Sequence, residues 1–251
     1  MLLNARSASA SQPRTAPDAH DCCGRYGCAI VNDVKIVSFG DLHMATRNLD
    51  RMGDVMRDTD LVIISGDLTN FGGAAQARKV LDDVRRACPT VLALPGNLDQ
   101  REVMPFLEEE KVALHAKGTV FKGVGIFGCG GSNITPFATP TELSEDEIYA
   151  ALRAGYEQVR DCRPLLMVCH TPPFDTKCDR IVSGKPVGST AARRFIEEVQ
   201  PDVCVSGHIH ESAGVDAIGV TRIFNAGPFK GGGYVVVRVE GDKLDASLEF
   251  L

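Results

Sequence analysis

Polar side chains able to bind metal ions stand at the ends of five apolar runs in this sequence. The run VKIVSFGDLH closes on Asp41 and His43, and the run LVIISGD closes on Asp67. Imidazole and carboxylate groups together are typical ligands of transition metals, whereas Mg²⁺ and Ca²⁺ favour shells of oxygen alone. With the ends of VLALPGN, LLMVCH and DVCVSGHIH, the candidate ligands are Asp41, His43, Asp67, Asn97, His170, His208 and His210.

Each of these residues is a weak signal when it is taken alone, because an Asp-x-His or Gly-Asp after a strand is more often a turn carboxylate or a surface histidine. Here, however, four of the six histidines follow apolar runs. The ligands are too many for one tetrahedral ion but suit two divalent cations that share a carboxylate, and Asp67 is the expected bridge. The mixed donors favour Mn, with Fe, Zn or Co as alternatives.

The formal net charge of -6 makes nucleic acid an unlikely partner, because such a chain offers no broad electropositive surface. An anionic substrate must then be attracted locally. Two divalent cations would bring a charge of about +4, and two aspartates with a bridging hydroxide would remove about three charges, leaving about +1 to meet a phosphate. The sequence therefore predicts a small phosphorylated substrate.

The composition is that of an ordinary globular protein, with 44% hydrophobic and 24% charged residues among 251. No apolar run approaches the roughly 18 residues that cross a bilayer, so no membrane association is expected. Residues 1–32 are rich in Ala, Ser, Pro and Gly and are predicted to form a flexible extension. Residues 33–251 are expected to form a single domain of a size common among α/β folds. The sequence does not indicate an oligomeric state.

The nine cysteines are an odd number scattered through a long chain, without a secretory signal, so we expect reduced thiols and a cytoplasmic protein. Cys169 and Cys204 lie inside apolar runs, where a thiol acts as a small hydrophobic side chain. A cluster near the N-terminus matches no standard paired zinc site, and reduced thiols are expected there as well. That cluster comprises His20, Cys22, Cys23 and Cys28.

Strand and helix signals alternate from Val34 to about residue 110, which is the pattern of βα units on a largely parallel sheet. Because the carboxyl ends of such strands lie on one edge of the sheet, the candidate ligands are expected to meet there. In the first helix, Leu49, Met52, Val55 and Met56 form an apolar stripe. The predicted strands are 34–40, 60–65 and 90–94, and the predicted helices are about 44–57, 73–87 and 101–110.

The second half of the chain is richer in strand signals. The prolines and threonines of the loop 129–144 argue against regular structure there. Ser144, with Glu147 three residues later, predicts the start of a helix over about 145–160. The long loop 171–188 is of a length that is usually functional. The remaining predictions are strands at about 112–114, 119–122, 124–128, 165–169 and 202–206, a helix at 189–199, and a final antiparallel half with strands at about 213–218, 221–225, 233–240 and 243–250.

These motifs resemble those of the calcineurin-like binuclear metallophosphoesterases in order, spacing and strand context. The resemblance covers residues 34 to about 230, and the segments GGSNITPF, HTPPFDT and GHIHES are similar to small phosphoesterases of archaeal and bacterial type. The matching motifs are D-x-H (Asp41, His43), GD (Gly66, Asp67), GN-x-D (Gly96, Asn97, Asp99), His170 and GH-x-H (Gly207, His208, His210).

The resemblance implies an α/β fold, a four-layer α/β/β/α sandwich of two mixed sheets flanked by helices. It further implies that a metal-bridging hydroxide attacks phosphorus in line in a phosphomonoester or phosphodiester, since bound cations lower the pKa of water and neutralise the phosphoryl oxygens. Asn97 would also contact the substrate. The implied shells are Asp41, His43 and His210 for one metal, Asn97, His170 and His208 for the other, and Asp67 for both.

One position departs from the family pattern, because the histidine expected after Gly-Asn as general acid is Leu98 here. Loss of a general acid typically costs about 10² to 10⁴ in rate when the leaving group is poor. Candidate replacements are Asp99, His115 and His20. Asp99 more commonly supports the missing histidine and at an ordinary pKa would be ionised at pH 7. His115 is interpreted as a solvated or hydrogen-bonded histidine without a role.

Arg180 and Lys185 lie in the long loop after His170 and are candidate phosphate contacts, although surface charge is the simpler interpretation. Two hypotheses for the whole chain follow. The first is a metal-dependent phosphoesterase whose specificity is set by the loops 129–144 and 171–188. The second, motivated by Leu98, is a non-catalytic metal-binding scaffold of the same fold that binds a protein partner.

Overall fold

The structure is a computed structural model that describes residues 33–251. The first of its two large sheets is mixed and comprises β1 (Val34–Phe39), β2 (Leu61–Ile64), β3 (Val91–Ala93), β12 (Gly233–Glu240) and β13 (Lys243–Phe250). The strand order is β13-β12-β1-β2-β3. The strands β1, β2 and β3 are parallel, whereas β12 is antiparallel to both β1 and β13.

The second sheet comprises β4 (Gly118–Phe121), β5 (Val124–Cys129), β8 (Leu165–Cys169), β9 (Val203–Ser206), β10 (Gly214–Ile218) and β11 (Thr221–Asn225). Its order is β10-β11-β9-β8-β5-β4, with a parallel centre and an antiparallel strand at each edge. A separate small parallel pair is formed by β6 (Ser132–Asn133) and β7 (Glu142–Leu143).

The alternation of side chains along the strands places the two sheets face to face. Ile36 and Ile63 of the first sheet share a buried cluster with Val168 and Val205 of the second sheet. Successive strand residues point to opposite faces, so Val37, the neighbour of Ile36, faces away from the second sheet. Both faces of these strands are buried, which explains why their sequences are continuously apolar.

Helices cover the two outer faces of the sheets. Val37 packs in one cluster with Val80 and Leu81 of the first helical layer, and Met167 packs in another with Phe195 of the second. The layers are therefore α/β/β/α, as predicted. The first helical layer contains α1 (Gly53–Met56), α2 (Ala74–Ala87) and α3 (Val103–Glu109), and the second contains α4 (Glu145–Glu157) and α5 (Thr190–Val199).

The start of α4 confirms the predicted capping box. The hydroxyl of Ser144 accepts from the backbone N–H of Glu147 at 3.3 Å, and the Glu147 carboxylate accepts from the backbone N–H of Ser144 at 2.8 Å. Helix α5 begins in the same way, with the Ser189 hydroxyl accepting from Ala192 N–H at 3.0 Å. Both starts satisfy N–H groups that have no partner inside the helix.

The prediction of a single helix over 44–57 was wrong. This segment folds as a 3-10 helix (Arg47–Met52) followed by one α-helical turn, α1. His43 and Met44 adopt left-handed backbone angles, with φ of 46° and 69°, so an α-helix cannot begin there. Gly53 then weakens any continuation of the helix.

Three further predictions about the strands and loops need correction. Residues 112–114 make one isolated bridge, that of Ala113 with Ala93, rather than a strand. The loop 129–144 contains the short strands β6 and β7, where regular structure was not expected. The final strands do not form one antiparallel half, because β11 runs parallel to β9 and the hairpin of β12 and β13 joins the first sheet beside β1.

Within residues 33–251 no helix is long and apolar enough to cross a membrane. Among the described residues, Cys88, Cys129, Cys169, Cys178 and Cys204 are buried and are not joined in disulfides. The predicted extension 1–32 and the cluster of His20 with three cysteines lie outside the described residues. The division of the chain at residue 33 therefore stays a prediction.

Candidate metal centre

The loops that follow five parallel strands converge at one edge of the two sheets. Asp41 and His43 follow β1, Asp67 follows β2 and Asn97 follows β3, all from the first sheet, while His170 follows β8 and His208 with His210 follow β9 in the second. The side chains of all seven predicted ligands lie within one connected group of contacts. The edge where strand ends meet is the usual ligand site of such sheets.

One half of the group contains Asp41, His43 and His210. The Nε2 atoms of His43 and His210 lie 3.2 Å apart, and His210 Nε2 lies 3.2 Å from Asp41 Oδ1. His43 Nε2 is 4.0 Å from the same oxygen. One atom of each of these three side chains is thus near enough to the other two to bind a common cation.

The other half of the group is built around Asn97. Its Oδ1 atom lies 2.8 Å from His208 Nδ1 and 3.2 Å from His170 Nε2. Asp67 lies between the two halves, because its Oδ2 atom is 3.6 Å from His170 Nε2 and 4.0 Å from His43 Nε2. This position between the halves is the one that a bridging carboxylate requires.

Backbone carbonyls fix the orientation of two imidazoles. His43 Nδ1 lies 3.3 Å from the carbonyl oxygen of Thr69, and His170 Nδ1 lies 2.9 Å from that of Ser65. A neutral imidazole whose Nδ1 donates to a carbonyl keeps its lone pair on Nε2, the atom that points into the cluster. This arrangement is typical of histidines that bind metals.

The Asn97 amide is oriented by a residue that the sequence did not single out. Its Nδ2 group donates to the hydroxyl of Thr139 at 3.0 Å, which turns Oδ1 towards the imidazoles. The Thr139 hydroxyl in turn donates to Glu142 Oε1 at 2.7 Å. Both partners lie in or beside the loop 129–144, whose polar residues carried no spacing signal that could identify them.

Four of the seven candidate ligands have a backbone conformation in the left-handed region. The φ angles are 51° at Asp41, 46° at His43, 47° at Asp67 and 68° at His208. Such angles are uncommon for residues other than glycine and persist only where the surrounding structure enforces them, which is common at functional sites. Each loop reverses sharply at its strand end, and the reversal turns the side chain back over the edge of the sheet.

The glycines of the three Gly-containing motifs make room for these side chains. A Cβ atom at Gly207 would lie 2.3 Å from Asp41 Oδ2, and one at Gly96 would lie 2.1 Å from Asp67 Oδ1. At Gly66 it would lie 2.2 Å from His170 Nδ1. Glycine is required at these positions because any larger residue would displace a candidate ligand.

Burial and charge set the protonation of the group. Burial is the main cause that lowers the pKa of His208 to about 3, and burial also lowers the pKa of His43. Burial and the negative charges of Asp41 and Asp99 raise the pKa of Asp67 well above its usual value. The hydrogen bond to Asp41 raises the pKa of His210.

The carboxylates of the site fit a cation. Asp41, Asp67 and Asp99 are at most 2% exposed, and within residues 33–251 the ion-pair partners of Asp41 and Asp67 are all histidines of the same cluster. Buried carboxylates are costly unless a positive charge compensates them. Because the lowered pKa values of His43 and His208 keep these imidazoles neutral, the carboxylates and imidazoles together suit divalent transition metals.

Asp99 holds two of the ligand loops together. Its Oδ1 atom accepts from the N–H and hydroxyl of Thr69 at 2.8 and 2.7 Å, and its Oδ2 atom accepts from Leu68 N–H at 3.1 Å and Gly96 N–H at 2.9 Å. The expectation of an ordinary pKa was wrong, because burial raises the pKa of Asp99. With both oxygens engaged, Asp99 positions the loops rather than donating a proton.

The remaining residues considered as proton donors or phosphate contacts have partners elsewhere in the chain. Leu98 donates its backbone N–H to Asp67 Oδ1 at 2.8 Å, and its side chain carries no proton to give. His115 accepts from Gly130 N–H at 3.0 Å, which agrees with a hydrogen-bonded histidine without a chemical role. Arg180 is engaged by Asp175 at 2.6 Å and by the carbonyl of Gly184 at 3.0 Å.

A cleft of about 750 Å³ opens beside the cluster, with Asn97 and His208 on its inner wall. Its other walls come from the loops 129–144 and 171–188, the two loops expected to set specificity. Lys185 lines this cleft.

Comparison with known proteins agrees with this architecture. A family model described as calcineurin-like phosphoesterase matches residues 34–212. An uncharacterized protein of Methanocaldococcus jannaschii is 34% identical over 207 residues, which cover 79% of this chain and 90% of that protein.

Two solved structures share the fold. A crystal structure of a protein from Thermus thermophilus matches with a TM-score of 0.65 and 16% identity, covering 86% of this chain and 99% of that one. A purple acid phosphatase from yellow lupin (Lupinus luteus) seeds matches with a TM-score of 0.56 and 12% identity, covering 87% of this chain and 52% of that one. With the family model spanning every motif at the converging strand ends, the chain belongs to the calcineurin-like phosphoesterase family.

Proposed function

We propose that this protein is a metal-dependent phosphoesterase that hydrolyses a phosphomonoester or a phosphodiester. The observation that carries the proposal is the convergence of seven oxygen and nitrogen donors from five strand ends into one connected group around Asp67. A group of buried carboxylates and neutral imidazoles contributes little to the free energy of folding by itself, and a pair of cations would compensate the negative charge of the carboxylates.

Two divalent cations, with Mn favoured over Fe, Zn or Co, are proposed for this group. Asp41, His43 and His210 would hold one of them, Asn97, His170 and His208 would hold the other, and Asp67 would serve both. When bound, such ions lower the pKa of water and neutralise charge on the phosphoryl oxygens.

The residues of the chain contribute orientation. The carbonyls of Thr69 and Ser65 hold His43 and His170 with Nε2 facing inward, and Thr139 turns the Asn97 amide oxygen towards the same point. Asp99 ties the loop that carries Asp67 to the loop that carries Asn97. A phosphate entering from the cleft would meet this group at Asn97 and His208.

The test is turnover of aryl phosphomonoesters and phosphodiesters by protein stripped with a chelator and reloaded with each candidate metal. We expect activity that depends on added metal, is strongest with Mn, and falls at least about a hundredfold in Asp67→Asn and His208→Ala. Asp54→Asn is the matched control, because Asp54 is an exposed carboxylate paired with Arg57. Metal-loaded protein that turns over none of these esters would contradict the proposal.

Leu98 favours a second candidate, a non-catalytic metal-binding scaffold that binds a protein partner. A leucine beside Asn97 removes the usual proton donor without disturbing the ligands. Elemental analysis and turnover together separate the candidates, because a scaffold would bind metal stoichiometrically and hydrolyse no ester with any of the metals.

A further inference from the structure

The cleft beside the metal centre has a wall of exposed apolar side chains. Val182 is 91% exposed, Phe137 is 81% exposed and Ile134 is 68% exposed, and all three line this cleft. An exposed group of apolar side chains beside a polar centre is a usual feature of a ligand-binding groove.

The two loops that form this wall are tied to each other. The Asn133 side chain donates from Nδ2 to the carbonyls of Val187 and Gly188 at 3.1 and 3.3 Å, and its Oδ1 atom accepts from the Thr171 hydroxyl at 2.8 Å. These bonds join the loop 129–144 to the loop 171–188. The two loops that carry Ile134, Phe137 and Val182 are therefore held to each other.

A buried carboxylate holds the second loop in shape. Asp179 is fully buried and accepts from the backbone N–H groups of Asp175, Thr176 and Gly188, each at 2.9 Å. These bonds close the loop into a compact turn that presents Val182 at its tip. Both loops are held by hydrogen bonds within the chain, and a cleft that the chain itself orders costs a ligand less ordering free energy.

The charge of the cleft favours a compact ligand of limited charge. Lys185 and Glu211 line it with opposite charges, and the rest of its lining is apolar or uncharged. A polyanion would find little positive charge beyond the metal centre. A phosphate group can reach Asn97 and His208, while the organic group attached to it would lie against the apolar wall.

We infer that this cleft binds the organic part of the substrate, and that the preferred substrates are phosphoesters of bulky apolar or aromatic alcohols. The inference rests on the proposed phosphoesterase function, because it places the phosphate at the metal centre. Phe137 and Val182 are the residues that determine this specificity, and one methylene more or less in an apolar pocket typically discriminates between substrates by about 10- to 200-fold.

The first test measures binding of a non-hydrolysable probe to the Mn-loaded full chain. Naphthylphosphonate is followed by its fluorescence, which is clean because the chain contains no tryptophan, and methylphosphonate is measured by competition. We expect the naphthyl compound to bind at least about tenfold more tightly than the methyl compound. Phe137→Ser and Val182→Ser are expected to shrink this ratio several-fold.

The matched control is Val220→Ser, which removes a valine that is 75% exposed and lies between β10 and β11, outside the cleft lining. It is expected to leave the naphthyl-to-methyl ratio unchanged. Equal affinities for the two phosphonates, or a ratio that does not respond to Phe137→Ser and Val182→Ser, would overturn the inference.

The second test compares turnover of naphthyl phosphate and phenyl phosphate, whose leaving groups have similar acidity. A higher kcat/KM for the naphthyl ester that Phe137→Ser lowers supports the inference. Equal values in a protein that hydrolyses both esters overturn the inference and leave the proposed function standing. If no ester is hydrolysed with any metal while naphthylphosphonate binding still depends on Phe137, the proposed function fails and the inferred binding site stands.

Discussion

Asp99 accepts hydrogen bonds from both the backbone N–H and the hydroxyl of Thr69, and so joins the loop after β3 to the loop after β2. Asp99→Ala would remove the acceptor of the buried backbone N–H groups of Thr69, Leu68 and Gly96. We expect the free energy of unfolding to fall by about 2 to 4 kcal/mol and metal affinity to fall about 10- to 100-fold. Chemical denaturation and metal titration measure the two effects, and unchanged metal affinity in a folded Asp99→Ala protein would contradict the positioning role.

Gly207 has no side chain, which leaves room beside its backbone for the Asp41 carboxylate. Gly207→Ala would place a Cβ atom 2.3 Å from Asp41 Oδ2, so the carboxylate must move. We expect metal content after reloading to drop sharply while far-UV circular dichroism stays that of a folded protein. Gly53→Ala is the matched control, because a Cβ atom there meets nothing within 4 Å and should leave metal content unchanged.

Metal uptake is expected to release protons. Burial raises the pKa of Asp67, and the hydrogen bond to Asp41 raises the pKa of His210, so the metal-free protein keeps both protons to a higher pH than usual. A cation must displace them, and affinity should therefore decrease as the pH falls. Calorimetric titrations at one pH in buffers of different ionisation enthalpy measure the release, and identical heats in all buffers would exclude it.

Leu98→His tests whether a proton donor limits turnover. Leu98 follows Asn97, and its backbone N–H is fixed by Asp67. If protonation of the leaving oxygen is slow, the variant should accelerate esters of poor leaving groups by up to about 10²-fold and change esters of good leaving groups little. A series of aryl and alkyl phosphates measures this dependence, and equal gains across the series would contradict it.

The positions of the candidate ligands at strand ends could be predicted because they depend on local sequence, whereas the four layers were implied by the family resemblance. A continuous apolar run predicts a strand buried on both faces, and the polar residue that ends the run marks the edge of the sheet. That pattern placed Asp41, Asp67 and His170 correctly at converging strand ends. It holds because parallel strands share one direction and their ends share one edge.

The details that could not be predicted depend on distant contacts. The left-handed backbone at His43 and Met44, which prevents a helix from starting at 44, has no signature in residues other than glycine. The assignment of β12 and β13 to the first sheet depends on pairing with β1, and their alternation fits either sheet. The partnership of Thr139 with Asn97 joins positions 42 residues apart.

Through the pairing of β1 with β12, the first ligand loop receives contacts from a segment that is distant in the sequence. The strand β1 precedes Asp41 and His43, yet one of its two neighbours is encoded almost at the end of the described chain. Phe229, just before β12, donates its backbone N–H to the Asp41 carbonyl at 3.3 Å and stacks on Phe39 at 4.5 Å. During synthesis, the contacts of the first ligand loop with Phe229 can therefore form only after the segment that carries β12 has emerged, whereas its backbone hydrogen bonds to Gly66 and Asp67 need only the earlier segment that follows β2.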